Sequence, residues 1–425
     1  MCYAIPGKLV GIQGNIGTVD YFGEKRRVLV DADASIGDYV YAQGGIIINK
    51  ISEEKAIEIL NFWKDKFFEL KEIDKKFARI DIKNTSSNIL EILQRSNLGK
   101  ELQKEELLAL LQTTNKGDLR LLYETANNIR QKEHDNACCV HGIVEFSNYC
   151  KLDCHYCGIR KSKKLRRYRM SVDEIINNAK QAANLGFKAI VLQSGEDLWY
   201  DEKKLVKIVR EIRKLGVLIF LSIGERSMET YKKLYDAGAR AVLLRFETSN
   251  KSIFEGLRPN TNIESRLELI RYLKKIGYIL ATGFIIGLPD EKPEDIIKNI
   301  LLTKSLRADM YSFGPFIAAK DTPLEHYRSA NKDIVLKTIA ITRLVDKKSK
   351  ILVTTALETL DSNAKKEGLL AGANSLMLNI TPKKYRRLYE IYNNRAQDNI
   401  DEKDNIKDTI NLLYSIGRAP TDLGI

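Results

Sequence analysis

The chain has little of what a membrane or secreted protein needs. In its 425 residues no apolar run approaches the ~18–20 residues of a membrane span. The opening, MCYAIPGKLVGIQGN, has neither the basic start nor the apolar centre of a secretory signal. These two absences predict a cytoplasmic protein with no membrane partner. Cysteine is scarce, with six residues that are not spaced as a disulfide framework. Cys150, Cys154 and Cys157 crowd into one short stretch, Cys138 and Cys139 are adjacent, and Cys2 is second in the chain. Clustered cysteines in a reducing compartment point to metal or redox chemistry. No repeat at a solenoid period and no low-complexity tract interrupts the chain, so one-dimensional arrays are excluded.

The formal net charge of +13 suggests nucleic acid at first sight. The 69 basic residues are, however, interleaved with 56 acidic ones, mostly on amphipathic helices such as LVKIVREIRKLG. That pattern describes solvated helix faces and predicts no nucleic-acid partner. The exception is RKSKKLRRYR (160–169). It directly follows Cys157, a position suited to meeting an anionic substrate, a metal cluster or a protein partner.

Residues 1–70 open with short alternating runs, KLVGIQ, IGTVDYF, EKRRVLVDA and DYVYAQGGIIINKI, split by turn residues. Ser52 with Glu53 and Glu54 then announces a helix through AIEILNFWKDKFFEL, so a small, OB-like β-barrel closed by a helix is expected. The charged stretch 71–88 reads as a linker. Helical periodicity over 89–137 predicts a collar. From residue 138 onward strands alternate with helices: GIVEFS, AIVLQS, VLIFLSI, AVLLRFE, YILATGFIIG, MYSFGP, ILVTTA and SLMLNI. Eight such strands over residues 138–425 give the spacing of an α/β protein of the (β/α)8, TIM-barrel type, whose chemistry gathers at the C-terminal strand ends.

The run EFSNYCKLDCHYCGIR carries Cys-x3-Cys-x2-Cys directly after the first barrel strand. Three thiolates on one loop can bind three irons of a [4Fe–4S] cubane and leave the fourth open to another ligand. The competing readings are a zinc site short of one ligand, or buried thiols. A zinc site built on Cys-x2-Cys needs a second pair, and no cysteine follows Cys157.

From about residue 90 onward the chain resembles the biotin synthase-like radical S-adenosylmethionine (SAM) family, and within it the HydE maturases of [FeFe]-hydrogenase. The resemblance rests on the cysteine motif with RYRM, IVLQSGED, LLRFET, LRPNT, GLP, GPFI, DTPL, TTA, GAN and NITPKKYRRLY. It implies one [4Fe–4S] cluster on Cys150, Cys154 and Cys157 and SAM as cofactor, working anaerobically. It places the backbone of Tyr156 against the adenine, and Ser194, Gly195 and Glu196 against the SAM amino group. Glu247 and Arg266 are implied to hold the ribose or amino-acid part. Gln193, Ser222, Arg245, Met310, Thr354, Thr355 and Met377 are implied to line the cavity. Phe246 stands where HydE proteins often carry His, which implies an altered pocket polarity. The family assigns nothing to Cys138 and Cys139, which are expected to be structural. His134 and His326 are expected at the surface, and His155 inside the cysteine loop has no assigned part.

The opening MCYAIPGKLVGI resembles the HypC/HupF hydrogenase-maturation chaperones, over residues 1 to about 70. In that family the second-position cysteine helps carry an iron with diatomic ligands, so Cys2 is implied as a metal-binding thiol. Soft thiolates suit low-valent iron. The two resemblances together imply a radical enzyme for assembly of a hydrogenase cofactor, most readily the [FeFe] H-cluster. Its substrate would be small or organometallic. Its partners would be other maturation proteins, with or without a scaffold protein. The alternatives are a methylornithine synthase-like mutase, a maturase for a [NiFe]- or [Fe]-hydrogenase, and a carrier that only binds SAM.

Overall fold

The computed structural model describes residues 3–31 and 33–424; Cys2 lies outside the described residues. The amino-terminal module is a closed five-stranded barrel of β1 (Gly7–Gln13), β2 (Ile16–Tyr21), β3 (Glu24–Leu29), β4 (Tyr39–Gln43) and β5 (Ile46–Ile51). Its strand order is β1-β2-β3-β5-β4. Alternation along β2 sends Val19 and Tyr21 inward, where they meet Tyr3, Leu9, Val40 and Phe67 in one core. Helix α1 (Glu53–Phe77) closes the barrel by contributing Trp63, Phe67 and Leu70 to that core.

Helix α1 does not stop where the sequence predicts a linker; it continues through Phe77, so much of the stretch 71–88 is helical. The reason is Asp74, which is fully buried. Its carboxylate accepts from Nη1 and Nη2 of Arg130 at 2.8 Å each and from Nε of Arg418 at 2.8 Å. Those partners come from other parts of the chain, so a local reading sees only a charged, solvated run. Three helices follow: α2 (Ser87–Asn97), α3 (Lys104–Gln112) and α4 (Lys116–His134). Asn115 caps α4 by accepting from the amides of Gly117 and Asp118. His134, expected at the surface, is buried at the end of α4, where its Nε2 lies 3.1 Å from the Lys347 carbonyl. Burial and the nearby Arg343 hold its pKa well below the ordinary histidine value. His326 is exposed, as the sequence predicts.

The large barrel comprises β6 (Ala137–Ser147), β7 (Ala189–Ser194), β8 (Leu218–Ser222), β9 (Ala241–Leu243), β10 (Ile279–Thr282), β12 (Met310–Tyr311), β14 (Lys350–Val353) and β15 (Ser375–Asn379). All neighbours are parallel, and β15 pairs with β6 to close the ring. The short strands β11 (Ile285–Ile286) and β13 (Gly314–Pro315) extend two of these at the C-terminal end, and β16 (Ala419–Pro420) runs beside the start of β6. Odd-numbered residues of β6 face the lumen, where Ile143 packs with Val191, Phe220, Ala281, Leu352 and Met377. Even-numbered ones, Cys138, Val140, Val144 and Phe146, join the outer core beneath the helices.

The amino-terminal module sits on the N-terminal ends of the barrel strands. Asp31 pairs with Arg240 at 2.9 Å, and the Lys188 ammonium lies 4.6 Å from the centre of the Tyr41 ring. Gly44, at φ +59°, lets that turn reach the barrel floor against Ile279 and Leu218 in a left-handed conformation that favours glycine. Ala137 and Ala419 belong to the module's core. The cysteine loop leaves the other end of β6. An 11-residue strand is roughly 33 Å long, so module and loop lie at opposite ends of the barrel. Among the described residues no helix is long and apolar enough to cross a membrane.

Candidate functional site

Cys150, Cys154 and Cys157 stand on an irregular loop that backbone hydrogen bonds hold over the mouth of the barrel. The amide of His155 donates to the Leu257 carbonyl at 2.9 Å, that of Gly158 to Ile391 at 2.8 Å, and that of Ala319 to Tyr156 at 3.0 Å. Lys151 donates its amide to the Glu196 carbonyl at 3.0 Å, and the Glu196 amide points at Cys150 Sγ at 3.4 Å. This close approach requires Gly195, where a Cβ would come within 2.2 Å of the Tyr149 carbonyl. Three arginines of the basic segment 160–169 brace the loop, while Lys161, Lys164 and Arg166 are exposed. Arg160 pairs with Asp153 at 2.6 Å, Arg169 pairs with Asp197 at 2.7 Å, and Arg167 donates to the carbonyls of Asn148, Ile159 and Arg160.

Below the loop lies a cavity of about 310 Å³, lined by all three cysteines. Tyr156, Gln193, Ser194, Gly195, Glu196, Ser222, Arg245, Glu247, Arg266, Thr354, Thr355 and Met377 also line it. Met310 does not: it is buried in the apolar layer beneath, its sulfur 4.0 Å from the Ser375 hydroxyl. Phe246 likewise faces away from the cavity and packs against Phe284, so the pocket's polarity does not depend on it. The difference arises because β9 ends at Leu243, and the chain beyond it no longer keeps strand alternation.

One wall of the cavity is a cluster of buried charges. Arg266 donates through Nε to the Arg245 carbonyl at 2.6 Å, pairs with Glu225, and lies 3.7 Å from Glu196. Arg258 lies 3.7 Å from Glu196 and 3.9 Å from Glu247. Glu247 sits in the left-handed region with φ 68°, which turns its carboxylate into the cavity beside Arg245 at 3.3 Å. Burial opposes the charge on Arg258, yet Cys154, Tyr156, Glu247 and Glu196 outweigh it and hold the guanidinium above its ordinary pKa. Burial also raises the thiols of Cys150, Cys154 and Cys157.

The opposite wall is polar. Glu145 receives Arg395 Nη2 at 2.7 Å and the Asn379 amide at 2.9 Å. Burial nevertheless raises the pKa of Glu145. Arg258, Glu145, Arg395 and Asn379 are cavity-lining residues that the sequence reading missed. Arg258 was inside the quoted LRPNT run, and that motif was the one signal that could have found it.

The residues fit a cluster and a zwitterionic ligand. Several buried polar atoms at the cavity have no hydrogen-bond partner among the described residues: Nε and Nη2 of Arg258 and Oγ1 of Thr354, while Oε2 of Glu196 and of Glu247 has only an ion-pair neighbour, Lys151 at 3.4 Å and Arg245 at 3.3 Å. Orphaned buried donors and acceptors of both signs cost free energy unless a ligand meets them. Three thiols at one end supply the donor set of an open-sited cubane.

The family models agree with this geometry. Residues 144–302 match the radical SAM superfamily, 312–407 the biotin and thiamin synthesis associated domain, and 1–63 the HupF/HypC family. The chain is 38% identical over 339 residues to the [FeFe] hydrogenase maturase subunit HydE of Thermotoga maritima, covering 79% of this chain and 96% of that one. It is 31% identical to the 3-methylornithine synthase of Methanosarcina acetivorans, over 81% of this chain and 96% of the relative. Among solved structures, methylornithine synthase (PylB) superposes with a TM-score of 0.71 at 27% identity, covering 77% of this chain and 97% of that one. HydG from Carboxydothermus hydrogenoformans shares the fold, with a TM-score of 0.66 at 18% identity over 86% of this chain and 85% of that one. A parallel eight-stranded barrel whose cysteine loop caps a charged cavity is thus found in a chain most of whose length aligns with HydE: the protein belongs to the radical SAM superfamily as a HydE-like enzyme with a HupF/HypC-family domain at its amino terminus.

Proposed function

We propose that this protein is a hydrogenase maturase that acts on a small or organometallic precursor of the [FeFe] active-site cluster. The observation that carries the reading is the joining of a HydE-like barrel and a HupF/HypC-family module in one chain. A mutase has no evident need of an iron-carrying module.

In this reading Cys150, Cys154 and Cys157 hold the cluster, and Glu196, Glu247, Arg258 and Arg266 receive the amino, ribose and carboxylate groups of SAM. Cluster and SAM, when bound, supply a 5′-deoxyadenosyl radical by reductive cleavage. The protein's part is placement and exclusion of water. The bonds to Leu257, Ala319 and Ile391 fix the loop, and the paired guanidinium groups match a carboxylate's geometry. The apolar layer of Val191, Phe220, Leu352 and Met377 seals the lumen below, which protects a radical from solvent. Replacing Arg258 with Met leaves two buried carboxylates without their nearest shared cation. The SAM concentration for half-maximal cleavage is then expected to rise by ~100-fold or more, measured as 5′-deoxyadenosine formation against SAM. A change under about threefold would mean that Arg258 only supports packing.

Since the module occupies the end of the barrel away from the cavity, direct hand-over from Cys2 to the chain's own cavity is not what this reading requires. We infer that Cys2 exchanges iron with a partner maturation protein in the cytoplasm. The test is a cell-free [FeFe]-hydrogenase maturation reaction from which HydE is omitted. Adding this protein is expected to restore hydrogen evolution, and the Cys2→Ser variant is expected to lower it while SAM cleavage is kept. SAM cleavage without any restoration would sink the maturase reading, and methylornithine among the products would replace it with the mutase.

A further inference from the structure

At the floor of the barrel a second group of ligand-type side chains is buried, far from the cysteine loop. Cys139 and His141 are lumen-facing residues of β6, and Asp422 comes from the tail that follows β16. One donor atom from each, a thiol sulfur, an imidazole nitrogen and a carboxylate oxygen, lies within 4.8 Å of the other two. All three residues are at most 2% exposed. Ring nitrogen Nε2 of His141 is 3.2 Å from the Asp422 carboxylate, and Nδ1 has no hydrogen-bond partner among the described residues. Three long-range contacts fix the frame. Cys139 donates its amide to the Asn374 carbonyl at 2.9 Å, the Asp422 carbonyl accepts from Lys188 at 2.7 Å, and the His141 ring packs on Phe220. The Thr421 hydroxyl donates to the same Asp422 carboxylate at 3.0 Å and orients it.

We propose that Cys139, His141 and Asp422 form a binding site for a single divalent transition-metal ion, zinc(II) or iron(II), separate from the cluster. Sulfur, nitrogen and oxygen donors together suit a borderline ion rather than magnesium or calcium. A tetrahedral ion with bonds of about 2.0–2.3 Å brings its donors to roughly 3.5 Å of one another, a contraction that side-chain rotation can supply. One thiolate and one carboxylate neutralise a dication, so the loaded site carries no net buried charge. Lys350 acts electrostatically on both Cys139 and Asp422 and favours their charged forms. The ion would tie the first barrel strand to the chain's last residues beneath the amino-terminal module. Cys139 is expected to be structural from the sequence because the family resemblance assigns it nothing, and Asp422, 283 positions away, carries no spacing signal that links it to Cys139 and His141. The proposal does not rest on the maturase reading.

The test uses the full-length protein with its cluster reconstituted anaerobically. It is analysed for iron, zinc and acid-labile sulfide, and then titrated with zinc(II) against a chromophoric chelator. One zinc(II) beyond the cluster content is expected. Zinc-edge X-ray absorption of the loaded wild type should show one sulfur at about 2.3 Å with nitrogen and oxygen at about 2.0–2.2 Å. Cys139→Ala and Asp422→Asn should each weaken zinc(II) binding by more than ~100-fold, beyond the loss that second-layer residues cause. Cluster iron and 5′-deoxyadenosine formation should stay at wild-type levels. If Cys139→Ala misfolds, the wild-type absorption spectrum and the Asp422→Asn titration decide. No zinc(II) uptake, two or more sulfur ligands, or unchanged affinity in Asp422→Asn would overturn the proposal.

Discussion

Replacing Cys154 with Ala is expected to bring 5′-deoxyadenosine formation to background in an anaerobic assay with dithionite and SAM. Of the three cysteines on the loop Cys154 is the most buried, at 7% exposure. It also contributes most to holding Arg258 above its ordinary pKa against the opposing effect of burial. The substitution therefore removes one of three thiol ligands, while Arg258 keeps Glu196 and Glu247 within 3.7 and 3.9 Å. Two thiolates cannot hold a cubane with one open iron, so cleavage is lost at its source. The loop should stay in place, because its anchors are the backbone bonds of His155, Gly158 and Lys151. Iron and sulfide analysis of the reconstituted wild type should give about four irons per chain, since every cysteine after Cys139 belongs to this motif. About eight would mean a second cluster, and product formation by the Cys154→Ala variant would remove the cluster assignment.

The second large effect is on stability. Asp74→Ala deletes the one carboxylate that joins Arg130 and Arg418, and both guanidiniums are fully buried. Breaking a buried pair by removing one partner costs about 3–5 kcal/mol, because the remaining charge is left uncompensated. Here two charges lose it. Asn127 stays as a hydrogen-bond acceptor for both, at 2.8 Å from each Nη2, but it brings no charge. The expected result is a clear fall in the denaturant concentration at which the amino-terminal module separates, together with faster proteolysis near residues 78–86. The hydrogen bond from Arg130 to Asp135 and the pair between Lys71 and Glu24 are untouched, so loss of the module's own fold is not expected. A destabilisation below ~1 kcal/mol would show that packing of α1, not the ion pairs, holds the module to the barrel.

Much of the fold was legible because its signals are local. The strand AIVLQS was read with the bounds that the structure gives it, 189–194. LIFLS and SLMLN were read to within a residue or two at each end. Apolar runs flanked by amphipathic helices leave few other arrangements. β6 begins five residues earlier than predicted, since ACCVH carries no alternation that marks it as strand. Its pairing with β15 and β16 decides the matter. The cavity residues divide in the same way. Glu196 stands in IVLQSGED and Glu247 in LLRFET, motifs that announce themselves. Glu145 pairs with Arg395 across 250 positions, and no spacing rule links them.

The sequence by itself determined the cysteine loop, the strand–helix alternation that makes the barrel, and the separate β-rich opening, because chain spacing and hydrophobic period are properties of neighbours. Only the tertiary structure decided which end of the barrel the module covers, how Arg258 sits between Glu196 and Glu247, and how Cys139 and His141 meet Asp422 at the floor. Those outcomes depend on closing the ring between β15 and β6 and on returning the last residues of the chain to the first strand. Burial then makes the resulting polar contacts strong, since charges removed from water must be satisfied by whichever partners the fold brings to them.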